Sequence, residues 1–183
     1  ESLPFIESVR QAKLELGPHN FVSIHLTLIP YLEAAKELKT KPTQHSVKQL
    51  QEEGIQTDIL VCRSSYPLPQ EIRKKLALFC NVQLNSVIEA LDASTIYDVP
   101  ILMRKEKLDK WILSHLKLTN KVEPDLDSWK EFLWRLKNPK QEAHIAIVGK
   151  YVELPDAYKS IAEAFIHSGS ENETKVRVEY IHS

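Results

Sequence analysis

The sequence is poor in glycine and in cysteine. Only four glycines occur in 183 residues and none are clustered, so a glycine-rich loop that cradles phosphate is absent. The two cysteines, Cys62 and Cys80, lie in apolar surroundings without a CxxC partner, which excludes a disulfide framework and favours buried, reduced thiols in a cytoplasmic protein. The chain also begins without methionine. Together with the missing glycine loop, this start predicts an internal piece of a longer protein.

Charge and hydrophobicity exclude two further classes of protein, those that coat nucleic acid and those that anchor in or span a membrane. The net charge is −1 and the pI about 6.7, which does not fit a nucleic-acid coat or a polybasic membrane anchor. The longest apolar run, over residues 21–32, contains His25 and Pro30 and is too short and too polar to span a bilayer. With 43% hydrophobic and 27% charged residues, the composition is that of a globular protein. We therefore expect a cytoplasmic protein without nucleic-acid or membrane partners.

Short apolar runs alternate with helical patterns along the first two thirds of the chain. The patterns predict strands over 21–29, 58–62 and 87–91, and helices that start near Ser2 and over 46–54, 70–80 and 105–116. In the first strand, Ile24, Leu26 and Leu28 share one face, and His25 and Thr27 share the other. This alternation favours an α/β fold with a parallel sheet.

The pattern changes after residue 118. Polar residues and breaks flank one predicted helix over 127–137, and a strand, a helix ending at Gly169 and a final strand then form one βαβ unit. We therefore divide the chain into a first α/β domain (1–118), an interdomain linker with one helix (119–142) and the start of a second α/β domain (143–183). One βαβ unit cannot bury both faces of a sheet, so this second domain is expected to continue.

A basic segment follows the first predicted strand. It comprises Lys39, Thr40, Lys41, Pro42, Thr43 and Gln44, and Thr43 or Ser46 is placed to cap the following helix. Loops at the carboxyl ends of parallel strands bind ligands in such folds, and helix N-termini favour anions. Lys39 and Lys41, together with Lys75, can neutralise a triphosphate. The Gln44 amide can recognise a base by donating and accepting hydrogen bonds. The alternative interpretation is a solvated basic turn.

Other polar residues are weaker candidates. Glu1 and Asp92 could contact magnesium or a ribose, or could simply be solvated. His25 and His45 could serve as acid–base groups, whereas a strand histidine such as His25 can equally be a packed, hydrogen-bonded residue. A second strand-to-helix crevice carries the pairs Lys150-Tyr151 and Tyr158-Lys159, for which an exposed surface turn is the alternative.

Several of these segments, in this order, resemble the CTP synthase family. The similar segments are residues 1–5, 24–26 with Pro30 and Tyr31, 38–47, 58–63, 75–80, 94–97 with Pro100, 145–151 and 153–160. The run Lys-Thr-Lys-Pro-Thr-Gln at 39–44 is the most specific of them. The resemblance covers essentially the whole chain. It implies the C-terminal part of a P-loop-type amidoligase domain, followed by the first βαβ unit of a class I glutamine amidotransferase domain.

The resemblance also implies an activity, which is the ATP-dependent amination of UTP to CTP with ammonia from glutamine, with Mg²⁺ bound alongside ATP and GTP as activator. It implies that UTP or CTP binds at Glu1, Lys39, Thr40, Lys41, Pro42, Thr43, Gln44 and Lys75. ATP is expected at Leu91, Asp92 and Ala93, and an interdomain or allosteric role at Lys150 and Lys159. A homotetramer is implied, because the pyrimidine site of the family is built across subunit contacts.

The chain departs from the family pattern by omission. It lacks the P-loop lysine, the magnesium carboxylates and the glutaminase Cys, His and Glu, so no catalytic residue and no metal ligand is assigned in this chain. The 183 residues alone are expected to be inactive. The alternatives are a non-catalytic pyrimidine-nucleotide-binding or assembly module of the same ancestry and an unrelated α/β scaffold.

Overall fold

The computed structural model describes residues 2–118 and 122–183, and the chain divides into two compact units, residues 1–121 and 122–183. The elements of the first unit are α1 (Leu3–Leu16), β1 (Ile24–Leu28), β2 (Tyr31–Leu32), β3 (Glu37–Leu38), α2 (Lys41–Glu52), β4 (Ile59–Ser64), α3 (Gln70–Phe79), β5 (Val87–Leu91), α4 (Val99–Lys105) and α5 (Leu108–His115). Those of the second unit are α6 (Asp127–Lys137), β6 (Gln141–Gly149), α7 (Lys159–Glu171) and β7 (Thr174–His182).

The sheet of the first unit is parallel, with strand order β1-β4-β5. This confirms the α/β fold and the three predicted strands. A short antiparallel hairpin, β2–β3, follows β1; the sequence analysis did not predict it. The hairpin carries the chain from the end of β1 to α2 and so sets the position of the basic segment.

Two apolar layers enclose the central strand β4. On one face, Leu60 and Cys62 pack with Val47 of α2 and Leu76 of α3. On the other face, Val61 and Ile88 pack with side chains of α4 and α5. Fully burying a side chain of this size contributes about 1.5–3 kcal/mol, so these layers hold β4 and β5 in the sheet.

The apolar face of β1 is the exposed one. Ile24, Leu26 and Leu28 are 42%, 69% and 56% exposed, while the polar face packs on α2. There, His25 Nε2 and Ser46 Oγ are hydrogen-bonded at 2.8 Å, and the hydroxyls of Thr27 and Thr43 at 2.9 Å. The interpretation of His25 as a packed, hydrogen-bonded residue agrees with this geometry.

Two predicted helix boundaries are wrong. The predicted helix over 105–116 is interrupted, because Glu106 is drawn towards Arg73 and Lys107 adopts a left-handed conformation with φ 63°. The predicted break at 98–100 is instead the start of α4, since Pro100 lies in the first turn of that helix, where proline is tolerated.

The start of α2 also differs from the prediction. The helix begins at Lys41 with Pro42 in its first turn, so Thr43 and Ser46 do not cap it. Both residues lie inside the helix and bond to β1. The basic segment therefore comprises the two residues before α2 and the first turn of that helix.

The second unit is a βαβ arrangement, as predicted. Strands β6 and β7 are parallel over nine residue pairs, α7 connects them, and α6 packs on α7, where Ser170 Oγ donates a 3.0 Å hydrogen bond to the Phe132 carbonyl. The predicted helix over 127–137 is confirmed as α6. The division into domain, linker and second domain stays a prediction.

Candidate functional site

The carboxyl ends of three parallel strands meet at one edge of the first sheet. The basic segment lies beyond β1 and the β2–β3 hairpin, β4 ends at Ser64, and β5 ends at Leu91. Ligands bind at this edge in open α/β sheets. The topology therefore brings the predicted pyrimidine-nucleotide and ATP segments to the same edge.

Hydrogen bonds fix the first turn of α2 against β1. Thr40 and Thr43 are buried, and Thr43 Oγ1 donates to the Leu28 carbonyl at 3.1 Å. Gln44 Nε2 donates to Thr40 Oγ1 at 2.9 Å. Thr40 and Thr43 thus hold the helix start in place, and the first turn presents backbone N–H groups that lack intrahelical acceptors.

One carboxylate, that of Glu37, pairs with a lysine just before this turn. Lys39 Nζ donates a hydrogen bond to Glu37. That hydrogen bond, with further attraction from Lys39 and then Lys75, lowers the pKa of Glu37. Lys75 of α3 and, on the first turn of α2, Lys41 and Pro42 are exposed. The predicted site residue Glu1 lies outside the described residues.

The predicted ATP segment lines a groove. Leu91, Asp92 and Ala93 face a cavity of about 560 Å³, within the size range of ligand sites. Its other walls are largely apolar, with side chains from β1, the turn before α4, and α4 itself: Leu26, Ile96, Val99, Leu102 and Met103. An apolar groove of this size suits a planar base.

Asp92 is engaged within the protein. Its carboxylate accepts hydrogen bonds from Arg63 Nε at 2.8 Å and from Ser65 Oγ at 2.9 Å. These bonds, with the Arg63 bond the stronger influence, lower the pKa of Asp92. In this arrangement the carboxylate orders the loop after β4 and is not simply solvated.

Sequence reasoning missed four residues of this edge, namely Glu37, Arg63, Ser65 and Tyr66. Position was the available signal for three of them: Arg63 and Ser65 lie at and just after the end of the buried strand β4, and Asp92 follows the end of its parallel neighbour β5. Glu37 lies two residues before Lys39. The contact of the Tyr66 ring with Tyr31, with centroids 4.1 Å apart, had no comparable signal.

The candidate lysines of the second unit lie after β6. Lys159 Nζ pairs with Glu163 at 2.7 Å on the surface of α7. The backbone carbonyl of Lys150 accepts a 2.7 Å hydrogen bond from the Tyr158 hydroxyl. Both lysines therefore flank the carboxyl end of β6, as the sequence predicted, and their interdomain role stays a prediction.

Two further findings concern metals and membranes. Within residues 2–118 and 122–183, no group of three or more His, Cys, Asp or Glu side chains is placed to hold a metal ion. No helix in this described part is long and apolar enough to cross a membrane.

The two thiols should be unreactive in the folded protein. Burial raises the pKa of Cys62 to about 12 and that of Cys80 to about 11, so at pH 8 almost no nucleophilic thiolate is present. We expect iodoacetamide at pH 8 to leave both residues unmodified in native protein and to alkylate both in urea, as read by peptide mass spectrometry. Alkylation of native protein at the rate of a free thiol would contradict this packing.

Comparison with known proteins agrees with this arrangement. The family model for the CTP synthase N-terminus matches residues 1–118. The whole chain aligns with the CTP synthases of Cytophaga hutchinsonii at 69% identity, Christiangramia forsetii at 63% and Methanocaldococcus jannaschii at 56%, covering 34% of each relative. The chain belongs to the CTP synthase family. It spans about a third of the length of these curated relatives, and the resemblance seen in the sequence is thereby confirmed at family level.

Proposed function

We propose that the intact protein is a CTP synthase, a ligase that uses ATP and glutamine-derived ammonia to convert UTP to CTP. The observation that carries this proposal is that the basic segment at the start of α2 and the groove at residues 91–93 lie at the same carboxyl edge of one parallel sheet, in a member of this family. The lysines would hold the triphosphate of UTP or CTP, and Gln44 would contact the base. The groove would hold the adenine of ATP.

The chemistry accounts for two nucleotide sites at one edge. The uracil 4-oxygen is a poor leaving group, so ATP first phosphorylates it, and ammonia then displaces the phosphate. For phosphoryl transfer, positioning and charge compensation supply most of the catalysis. Lysines at 39, 41 and 75 supply positive charge for the pyrimidine nucleotide, and the loop ordered by Asp92 positions the adenosine.

The described residues do not fit the magnesium site that accompanies ATP. They contain no suitable ligand cluster, and Asp92 is already bonded to Arg63 and Ser65. We propose that the Mg²⁺ ligands lie outside this chain, together with the catalytic residues of both half-reactions.

We further propose the finer domain assignment. Residues 1–118 would be the C-terminal part of the amidoligase domain, 119–142 the linker, and 143–183 the start of the glutamine amidotransferase domain. The family match that ends at residue 118 and the separate compact unit from 122 support this assignment. The proposal also includes glutamine as the ammonia donor, activation by GTP near Lys150 and Lys159, a homotetramer and a cytoplasmic location. The unpaired cysteines support the cytoplasmic location.

Nucleotide binding to the intact protein tests the site. We expect Lys39→Ala, Lys41→Ala and Lys75→Ala each to weaken CTP binding about 10- to 100-fold in calorimetry, because each removes a charge-assisted contact of about 1.5–3 kcal/mol. Lys48→Ala is the matched control, since Lys48 is an exposed lysine further along α2. It should bind CTP like the unmodified protein.

Two outcomes would overturn the assignment. Unchanged CTP affinity in all three variants would remove the basic segment from the site. An equal loss in Lys48→Ala would show that only the overall charge of α2 matters. Binding of CTP without any conversion of UTP would instead support the non-catalytic binding module.

A further inference from the structure

Residues 63–66, here called the connector segment, touch both halves of the candidate site. The segment ends β4, the central strand, between the basic segment on one side and residues 91–93 on the other. One of its side chains contacts the hairpin that leads to Lys39, and two others contact Asp92. The contacts on each side fix a different nucleotide segment.

On the basic side, the contact is a pair of aromatic rings. The ring centroids of Tyr66 and Tyr31 are 4.1 Å apart at an interplanar angle of 38°. Tyr31 pairs across the hairpin with Leu38, and the next residue, Lys39, donates its backbone N–H to the Pro30 carbonyl at 2.9 Å. A shift of the Tyr66 ring therefore reaches Lys39 through one pair of rings and one strand pairing.

On the adenine side, the contacts are polar. Ser65 Oγ and Arg63 Nε donate to the two carboxylate oxygens of Asp92, and the backbone N–H of Asp92 donates to the Ser64 carbonyl at 2.9 Å. Ser65 directly precedes Tyr66. Rotation of this peptide would change the Tyr66 ring contact and the Asp92 contact together.

Hydrogen bonds and burial hold the backbone on both sides of Tyr66. Ser64 lies in β4 and is buried, and the backbone N–H of Leu68 donates a 2.5 Å hydrogen bond to Glu89 Oε2 of β5. Tyr66, between these anchors, is 44% exposed. Its backbone N–H donates a 3.3 Å hydrogen bond to Ser64 Oγ, and its ring packs on the Tyr31 ring.

We propose that the Tyr31–Tyr66 contact is a positioning device that couples occupancy of the ATP groove to the affinity of the pyrimidine-nucleotide site. This inference rests on the proposed function of the two segments. Binding at the groove holds Asp92 and, through Ser65, the Tyr66 ring. The ring holds the hairpin and, with it, the backbone of Lys39 at the start of the basic segment. Neither tyrosine needs to touch a nucleotide.

The test compares Tyr66→Ala, Tyr66→Phe and Tyr31→Ala in the intact protein. UTP affinity is measured with and without a non-hydrolysable ATP analogue, and the ratio of the two affinities is the coupling. We expect Tyr66→Ala and Tyr31→Ala to lower the coupling about three- to tenfold, the range of an aromatic pair. Steady-state kinetics should show a raised KM for UTP and a kcat within about twofold at saturation.

Tyr66→Phe keeps the ring and should retain the coupling. The double variant Tyr31→Ala/Tyr66→Ala should be no worse than Tyr66→Ala, because one contact is removed in both cases. A loss of coupling in Tyr66→Phe equal to that in Tyr66→Ala, or additive losses in the double variant, would overturn the proposal. Thermal melting of each variant checks that the fold is intact.

The outcome of Lys41→Ala separates the two proposals. If Lys41→Ala weakens UTP binding and Tyr66→Ala leaves the coupling unchanged, the positioning role alone is wrong. If Lys41→Ala, Lys39→Ala and Lys75→Ala all leave UTP and CTP binding unchanged, the proposed nucleotide site itself is wrong, and the tyrosine inference falls with it.

Discussion

Replacing Gly169 with alanine should destabilise the second unit by about 1–3 kcal/mol, the usual cost of forcing an extra group into a packed interior. An added Cβ would lie 2.5 Å from the Thr174 carbonyl oxygen and 3.2 Å from Val176 Cγ2. The first of these is backbone at the start of β7, so α7 or the strand must move. Alanine favours a helix by up to about 1 kcal/mol over glycine, which offsets part of the cost.

Amide hydrogen exchange of the intact protein measures this effect unit by unit. Gly169→Ala should speed exchange in β6 and β7, while β4 in the first unit retains its protection. Ser168→Ala is the matched control, since Ser168 is exposed on the same turn of α7 and alanine there adds no atom towards β7. Equal protection of β6 and β7 in Gly169→Ala and in the control would contradict the close packing of helix and strand.

Replacing Arg73 with alanine should destabilise the first unit by about 2–4 kcal/mol, because it leaves two poorly exposed carboxylates without their cation. Arg73 Nη1 lies 2.6 Å from Glu106 Oε2, and Nη2 lies 3.4 Å from Glu89 Oε2. Nη1 also donates to the Val87 carbonyl at 3.1 Å. The three charged side chains are only 17–21% exposed.

The stability lost in Arg73→Ala should depend on pH. Burial by itself raises the pKa of Glu106, but the bonds from Arg73 and from the backbone N–H of Glu89 outweigh it, so the pKa lies below its ordinary value of 4.5. A carboxyl with a lowered folded-state pKa stabilises the fold above the unfolded value, and this stability is lost as the pH falls through the folded pKa. The deficit of Arg73→Ala should therefore be full at pH 7 and shrink below pH 4.5.

Urea denaturation at several pH values measures this deficit. Lys74→Ala, an exposed neighbour on α3, is the control and should change stability by less than about 0.5 kcal/mol. Adding Glu106→Gln to Arg73→Ala should recover part of the loss by removing an unpaired charge. A deficit in Arg73→Ala that is the same at pH 7 and pH 4 would show lost packing alone.

The parts of the fold that could be predicted are those set by local pattern. Strand β5 and helix α6 agree with prediction, because an apolar run before a turn and a helical stripe between two breaks are local signals. The boundaries of β4 and α3 differ by one or two residues. The parallel arrangement followed from the alternation of these elements.

The features that the sequence did not predict depend on contacts between residues far apart in the chain. The break between α4 and α5 occurs where Glu106 reaches Arg73, 33 positions earlier, and no local pattern reports such a pair. The polar face of β1 packs inward only because α2 supplies Ser46 and Thr43 as partners. Pattern alone identified the two faces of β1 but not which of them a helix would cover.

In the candidate site, too, some features could be predicted from the sequence and others depend on distant contacts. The basic segment stood out by composition and by family resemblance, but its place on a helix start, and the engagement of Thr40 and Thr43 with neighbouring atoms, required coordinates. The groove at residues 91–93 is formed by Leu26 and by α4, which lie far apart in sequence. The connector segment has no composition that distinguishes it.

The KM for UTP and the KM for ATP in Lys41→Ala test the central claim most directly. The measurement uses CTP formation by the intact protein, with Lys48→Ala in parallel. We expect Lys41→Ala to raise the KM for UTP about 10-fold or more while the KM for ATP changes less than about threefold, and Lys48→Ala to change neither. An unchanged KM for UTP in Lys41→Ala, or an equal rise in the KM for ATP, would contradict the assignment of the basic segment to the pyrimidine nucleotide.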